Sequence, residues 1–343
     1  MSRDHGGDMD RAIARFGGAA EGWIDLSTGI NRQPYPVPPL AARVWQDLPR
    51  AADLARLTAS AAQLYGIAPD HVLPLSGAQA AIQLYPRLGQ PGRARVLGPT
   101  YNEHAGALVA QGWQVETVRD PAHLVGADLA VVVNPNNPDG RCWRPTDLRA
   151  LMPSVGRLIV DESFADPVPE MSIAGEAGGQ VPAGQGGLIV LRSFGKFWGL
   201  AGLRLGFLLA APQDVARLSA LAGPWAVSGP ACAIGALALA DVGWQTATTA
   251  RLSAETARLD ALAARAGWTL VGGTHLFRTY ATPDAAAAQG HLAQARIWSR
   301  IFPYSPTWIR LGLPGPDFTG SDGAATNSEW ARLEAALAGA PKG

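Results

Sequence analysis

In the first two-thirds of the chain, apolar residues fall into short, often β-branched runs separated by stretches of helical spacing. Runs at residues 72–75, 95–97, 113–118, 129–133, 158–160 and 187–191 predict strands. Ahead of them, residues 53–65 carry Leu54, Leu57, Ala61, Leu64 and Tyr65 at helical spacing, and Gly66 stands where a C-terminal cap belongs. Strands alternating with helices predict an α/β fold with a mainly parallel sheet sandwiched by helices. The pattern changes after residue 245. Residues 246–266 read as one long helix, followed by strands at 268–271 and 276–280, a helix around 284–294 and a last strand at 308–311. This predicts a small α+β domain on the end of a connecting helix. The expected division is an N-terminal arm (1–40) contributing to the small domain and the active site, a large domain (41–245) and a small C-terminal domain (246–343). The Gly-rich residues 175–187 have no periodicity and read as a surface loop.

A length of 343 residues agrees with one large and one smaller domain. The 28 basic and 28 acidic side chains balance, so no basic field invites nucleic acid or an anionic membrane. Any bound anion must be held by local groups. Two cysteines, Cys142 and Cys232, exclude a disulfide framework and show no metal-ligand spacing. The N-terminus has no apolar signal region, and the most apolar stretch, 231–240, is too short to span a bilayer. A cytoplasmic location is expected.

Five stretches carry candidate chemistry. Residues 193–207, from Ser193 through Lys196 and Arg204 to Phe207, follow an apolar strand. A lysine in a tight Ser/Gly turn among aromatics is poorly solvated, which favours the neutral, nucleophilic amine, and Arg204 offers a fork suited to phosphate. Ser76, Gly77, Ala78 and Gln79 follow a strand and open a helix, where backbone N–H groups converge on an anion. Tyr101 follows the third run, and residues 134–140 (Asn-Pro-Asn-Asn-Pro-Asp-Gly) form a rigid turn at a strand's C-terminal end. Asp161 and Glu162 end the next strand.

In this order the stretches resemble the signature of fold-type I pyridoxal phosphate (PLP) enzymes, the class I/II aminotransferase group. The resemblance implies the PLP-dependent transferase-like fold, with a Schiff base on Lys196 and phosphate binding by Ser193, Arg204 and the 76–79 turn. It further implies that Tyr101 stacks on the pyridine ring, Asn134 meets its phenolic oxygen, Asp161 pairs with its nitrogen and Arg310 binds the substrate carboxylate. Glu162 reads as structural. Residues 5–8, 25–36, 77–84, 223–230 and 305–314 are similar to the threonine-phosphate decarboxylase branch, so that the likeness runs over nearly the whole chain. That branch decarboxylates L-threonine O-3-phosphate to (R)-1-amino-2-propanol O-2-phosphate, the aminopropanol linker of cobalamin. His5, Ser27, Thr28, Gly29, Asn31 and Arg32 are then candidates for holding this small phosphorylated amino acid, with Asn134 and Arg310 at the carboxylate end. A homodimer is implied, since the family's active sites lie at a subunit interface.

Three departures bear on the branch. Many relatives carry a tyrosine where Phe164 stands, and histidinol-phosphate aminotransferases bring a Tyr-Pro tyrosine from the neighbouring subunit, where this chain has Leu48-Pro49. Both lean away from the main alternative, a histidinol-phosphate-type aminotransferase. The third, Arg32-Gln33 where a proline is expected after Asn31, touches only a loop. A PLP-binding regulatory module without catalysis is the remaining alternative; no basic helical segment precedes Asp25.

Overall fold

The structure is a computed structural model describing residues 5–179, 187–316 and 328–340. Thirteen strands occur among the described residues. A short β1 (Ile24–Asp25) comes first. Seven strands follow: β2 (Val72–Leu75), β3 (Arg93–Leu97), β4 (Gln114–Val118), β5 (Leu129–Val133), β6 (Leu158–Asp161), β7 (Leu188–Ser193) and β8 (Gly206–Leu209). The last five are β9 (Thr269–Thr274), β10 (Phe277–Ala281), β11 (Ile297–Trp298), β12 (Arg300–Phe302) and β13 (Ser305–Gly312).

The chain forms two compact units. The larger comprises Tyr35–Asn137 and Arg141–Gln245 and holds a seven-stranded sheet in the order β2-β8-β7-β6-β5-β3-β4. Only β8 runs against its neighbours. Strands β5 and β6 are buried over their whole length, which is why they read as unbroken apolar runs rather than alternating ones. Strand β8 is absent from the sequence reading because its residues fall inside and just after the Lys196 motif. The helix Ala51–Tyr65 ends at Gly66 in the left-handed conformation (φ 68°), as its spacing predicts. The helix Val242–Arg265 starts earlier than expected because Asp241 accepts the Trp244 N–H at 2.9 Å. Of the expected loop, residues 180–186 lie outside the described residues, and Ala174–Glu176 forms a 3-10 turn.

The smaller unit comprises Met1–Pro34, Pro138–Gly140 and Thr246–Gly343. Its antiparallel sheet has the order β12-β13-β10-β9, and β1 pairs in parallel with β11. Residues 24–28 also reach β13, where Gly312 N–H donates to Leu26 O at 2.7 Å. The 138–140 segment lies so close to the β9–β10 hairpin that a Cβ on Gly140 would stand 2.1 Å from Gly273 O. Gly140 also sits at φ 68°, so both space and backbone conformation require glycine there.

Within the larger unit, the ends of β6 and β7 hold a buried charge cluster. Arg192 donates to Glu162 (2.7 Å) and to Asp166, and its guanidinium lies 4.7 Å from the centroid of the Tyr65 ring. Glu162 also accepts from Ile173 N–H and Ser172 Oγ, a structural role. Burial pushes the Glu162 and Asp166 carboxyls up, and Arg192 pulls both the other way. Removing Arg192 leaves two buried carboxylates without a counter-charge, so Arg192→Met should cost about 3–5 kcal/mol in denaturant unfolding at neutral pH. Without the arginine the folded-state pKa values rise further above the unfolded ones, so the groups favour folding only while protonated. The deficit should therefore shrink as pH falls, and Arg192→Met/Glu162→Gln/Asp166→Asn should recover much of it.

Candidate active site

A cavity of about 730 Å³, including its open mouth, lies in the larger unit at the C-terminal ends of the parallel strands. Sheets of this type bind ligands there, because successive loops converge on that edge. The turn after β2 contributes Gly77, Ala78 and Gln79, and the segment after β3 contributes Tyr101. Asn137 follows β5, Asp161 ends β6, Ser193 ends β7, and Lys196 and Arg204 lie between β7 and β8.

At one side of the cavity, Gly77 and Arg204 meet. Gly77 has φ 85°, and a Cβ on it would stand 2.9 Å from Arg204 Nη2. Arg204 itself is held left-handed at φ 53°, a conformation that non-glycine residues adopt at a cost. Gly206, at the start of β8, passes the same turn so tightly that a Cβ would lie 2.3 Å from Ala78 N. The result is a turn of small residues beside a guanidinium, chemistry that suits a phosphate. Ser76 is not part of it. Its hydroxyl donates to Ala226 O at 2.6 Å, and it does not line the cavity.

Asp161 is buried, with 2% of its surface exposed. Burial alone would raise its pKa, but the His104 hydrogen bond, the His104 charge interaction and two donors from Ser163 together hold it below the ordinary carboxylate value. His104 Nε2 lies 2.8 Å from Asp161 Oδ2, and His104 Nδ1 lies 3.1 Å from the Tyr85 hydroxyl. Burial pushes the Tyr85 phenol well up, so it keeps its proton, and His104 Nε2 donates to the ionised Asp161. His104 and Tyr85 are absent from the sequence reading. They stand 57 and 76 positions from Asp161, and no local motif marks them.

Lys196 is half-buried, with Nζ 5.7 Å from the Phe164 ring centroid. Its turn is anchored by aromatics on both sides. Phe194 stacks on Trp198 (5.1 Å), Trp198 stacks on Trp244 (5.2 Å), and Phe197 meets both edge-on. Of the 28 basic side chains only two are lysines, Lys196 and Lys342.

Asn134 stands apart from the cavity lining. It is fully buried, its amide donates to Trp143 O and Met171 O, and its carbonyl accepts Trp143 N–H, all at 3.0 Å. The side chain braces the turn, and Asn137, three residues on, lines the cavity instead.

The remaining candidates belong to the smaller unit. Arg310 on β13 is buried and donates to Ser27 O. Its guanidinium lies 5.0 Å from the Phe277 ring centroid. Burial and Arg300, its cross-strand partner on β12, pull its pKa down to about 10. Like charges directly opposite one another are unfavourable unless an anion joins them. Arg300 thus joins the candidates, a pairing that only strand register reveals. Ser27 and Asn31 are buried and bonded within the protein, to Asp25 and Gly7 and to Gln33 and Arg251 respectively. Arg32 forms a two-pronged pair with Glu329. Each of these three side chains has a partner within the smaller unit. Thr28 is half-buried, Gly29 buried and His5 exposed.

Carbon-13 NMR of the aspartate carboxyls should find Asp161 titrating below the ordinary range, and His104→Phe should raise that value. Because the folded-state pKa is depressed, ionised Asp161 contributes stability that is present above the unfolded pKa and lost as pH falls through the folded one. The variant should therefore acid-unfold at higher pH than wild type.

A protein from Sinorhizobium sp described as threonine-phosphate decarboxylase is 45% identical to this chain, over 92% of the chain and 94% of the relative. One of the same description from Pseudomonas aeruginosa strain PAO1 is 40% identical over 98% and 97%. The solved histidinol-phosphate aminotransferase of Sinorhizobium meliloti, in complex with pyridoxal-5'-phosphate, superposes with a TM-score of 0.79, covering 96% of this chain and 93% of that one. At 20% identity that likeness speaks for the fold alone. The family model for aminotransferase class I and II matches residues 40–319, and the chain belongs to that family.

Proposed function

We propose that the chain is a PLP-dependent threonine-phosphate decarboxylase acting in cobalamin biosynthesis. The observation that carries this choice of reaction is its 45% and 40% identity, over nearly the full length, to proteins of that description. The cavity's donor set fits the cofactor: an amine, a buried ionised carboxylate, an aromatic ring and a small-residue turn beside an arginine. In this reading Lys196 would hold PLP through its amine, and Gly77, Ala78, Gln79, Ser193 and Arg204 would hold its phosphate. Tyr101 would cover the ring, Asn137 would take the place first given to Asn134, and Asp161 would keep the ring nitrogen protonated. When bound, PLP accepts the electron pair left on the amino acid's Cα as a bond there breaks.

The chain's own part is to choose that bond and manage the protons. Arg310, with Arg300 beside it, receives the substrate's anionic groups. His5, Thr28 and Gly29 are the further candidates at the substrate. After CO₂ leaves, Lys196 Nζ delivers a proton to Cα. At Phe164 a ring without a hydroxyl lies near the lysine, and Leu48 has no donor to lend a neighbouring subunit, which supports a decarboxylase over an aminotransferase.

A homodimer and a cytoplasmic location belong to the same reading. Trp45, Leu48, Trp225, Leu237 and Val242 are large apolar side chains exposed on the larger unit, surface that a second copy would cover. No helix among the described residues is long and apolar enough to cross a membrane.

The PLP-loaded protein should release CO₂ from L-threonine O-3-phosphate with no keto acid present, and Lys196→Ala should abolish release. Borohydride should fix the cofactor to Lys196, read by peptide mass. PLP binding without CO₂ release, together with glutamate formed from an amino donor and 2-oxoglutarate, would make the chain an aminotransferase instead. In sedimentation the wild type should run as a dimer, and Trp45→Glu/Leu237→Glu should run as a monomer.

A further inference from the structure

Ser27, Thr28 and Gly29 are substrate candidates by resemblance, yet the polar groups of Ser27 are directed into the protein. Its Oγ accepts the Gly7 N–H at 2.7 Å and donates to Asp25 Oδ1 at 2.6 Å. Its own N–H donates to the same Asp25 oxygen at 2.9 Å, and its carbonyl accepts from Arg310 Nη2. With 1% of its surface exposed, its hydroxyl has no room for a ligand.

We propose that Ser27 is a positioning residue of the substrate site, joining the His5–Gly7 segment to the strand end that presents Arg310. The proposal rests on the decarboxylase reading for the identity of the substrate, while the joint itself lies wholly in the smaller unit. Two features show that the segment is fitted to this place. A Cβ on Gly6 would stand 2.4 Å from Ser27 O, the oxygen that Arg310 uses, so only glycine lets the chain pass. Residues 24–28 are themselves held on both sides, since Leu26 N–H donates to Trp298 O (2.8 Å) and Leu26 O accepts from Gly312 N–H (2.7 Å). Gly312 lies two residues after Arg310, and a Cβ there would stand 2.4 Å from Thr28 O. Ser27 therefore sits on a rigid base. Its hydroxyl holds the His5 end, and its carbonyl sets one edge of the Arg310 guanidinium. The spacing between the exposed histidine and the buried arginine is then fixed by one residue, suiting a substrate with anionic groups at both ends.

Ser27→Ala removes the hydroxyl and keeps the carbonyl, so it separates the two halves of the joint. In the holoenzyme, KM for L-threonine O-3-phosphate should rise roughly tenfold with kcat within about twofold, the pattern of a lost binding contact. The visible absorption of bound PLP should be unchanged. In the His5→Ala background the same substitution should add nothing, because both act through the same segment. Gly6→Ala, which displaces the segment by crowding the Ser27 carbonyl while leaving the Ser27 hydroxyl in place, should reproduce the KM effect and serves if Ser27→Ala fails to fold. Amide exchange of residues 5–16 without substrate should quicken in both variants, and this arm reads the joint whether or not the wild type proves to be a decarboxylase. Unaltered exchange, an effect additive with His5→Ala, or a fall in kcat at constant KM would each overturn the proposal.

Discussion

A carboxylate that stays ionised inside the protein is the constraint around which the larger unit is arranged. Asp161 stands at the end of a fully buried strand, where desolvation would neutralise it or unfold its surroundings. The protein offsets that cost with donors fixed by elements distant in sequence: Ser163 in the following turn, and His104 on the helix Glu103–Ala110. Tyr85 in turn meets the other ring nitrogen of His104. A helix and a 3-10 turn outside the strand thus bear on one carboxylate, and a ring nitrogen facing Asp161 would meet a charge rather than a neutral acid.

The strand alternation lets the same two strands carry a second, unrelated load. Asp161 and Glu162 are neighbours, as are Arg192 and Ser193, and successive side chains on a strand point to opposite faces. Asp161 and Ser193 line the cavity, while Glu162 and Arg192 pair behind it. The buried pair is weak evidence for net stability, since both charges are desolvated. What it supplies is register: β6 and β7 cannot slide without breaking it. The stacked Phe194, Trp198 and Trp244 rings then hold the turn that carries Lys196.

Much of this was legible in the sequence, for physical reasons that also mark where legibility stopped. Central parallel strands are buried on both faces, so 129–133 and 158–160 could be read directly as apolar runs. The helix end at Gly66 followed from the left-handed cap. Strand β8 was hidden because its four residues continue a motif already read as a loop. Asn134 and Asn137 both precede proline, and local chemistry could not separate them. The fold does so by giving the first a complete set of backbone partners and leaving the second on the cavity wall. Ser27 looked like a ligand for the same reason that it is a joint: a serine hydroxyl both donates and accepts, and sequence does not show which way it points.

Arg300 shows the same limit from the other side. In sequence it is one of many arginines, ten residues before Arg310 and separated from it by a Pro-Tyr-Ser-Pro turn. Antiparallel pairing places it directly opposite Arg310. Two guanidiniums in that register repel, and the buried one is already held less basic than an arginine in water. A solvated ion pair would remove the conflict cheaply, yet Arg310 is buried against Phe277 and its pKa lies below rather than above the usual arginine value. A bound carboxylate or phosphate relieves both the repulsion and the desolvation at once. Strand register, as much as the arginine itself, therefore sets the electrostatics at Arg310.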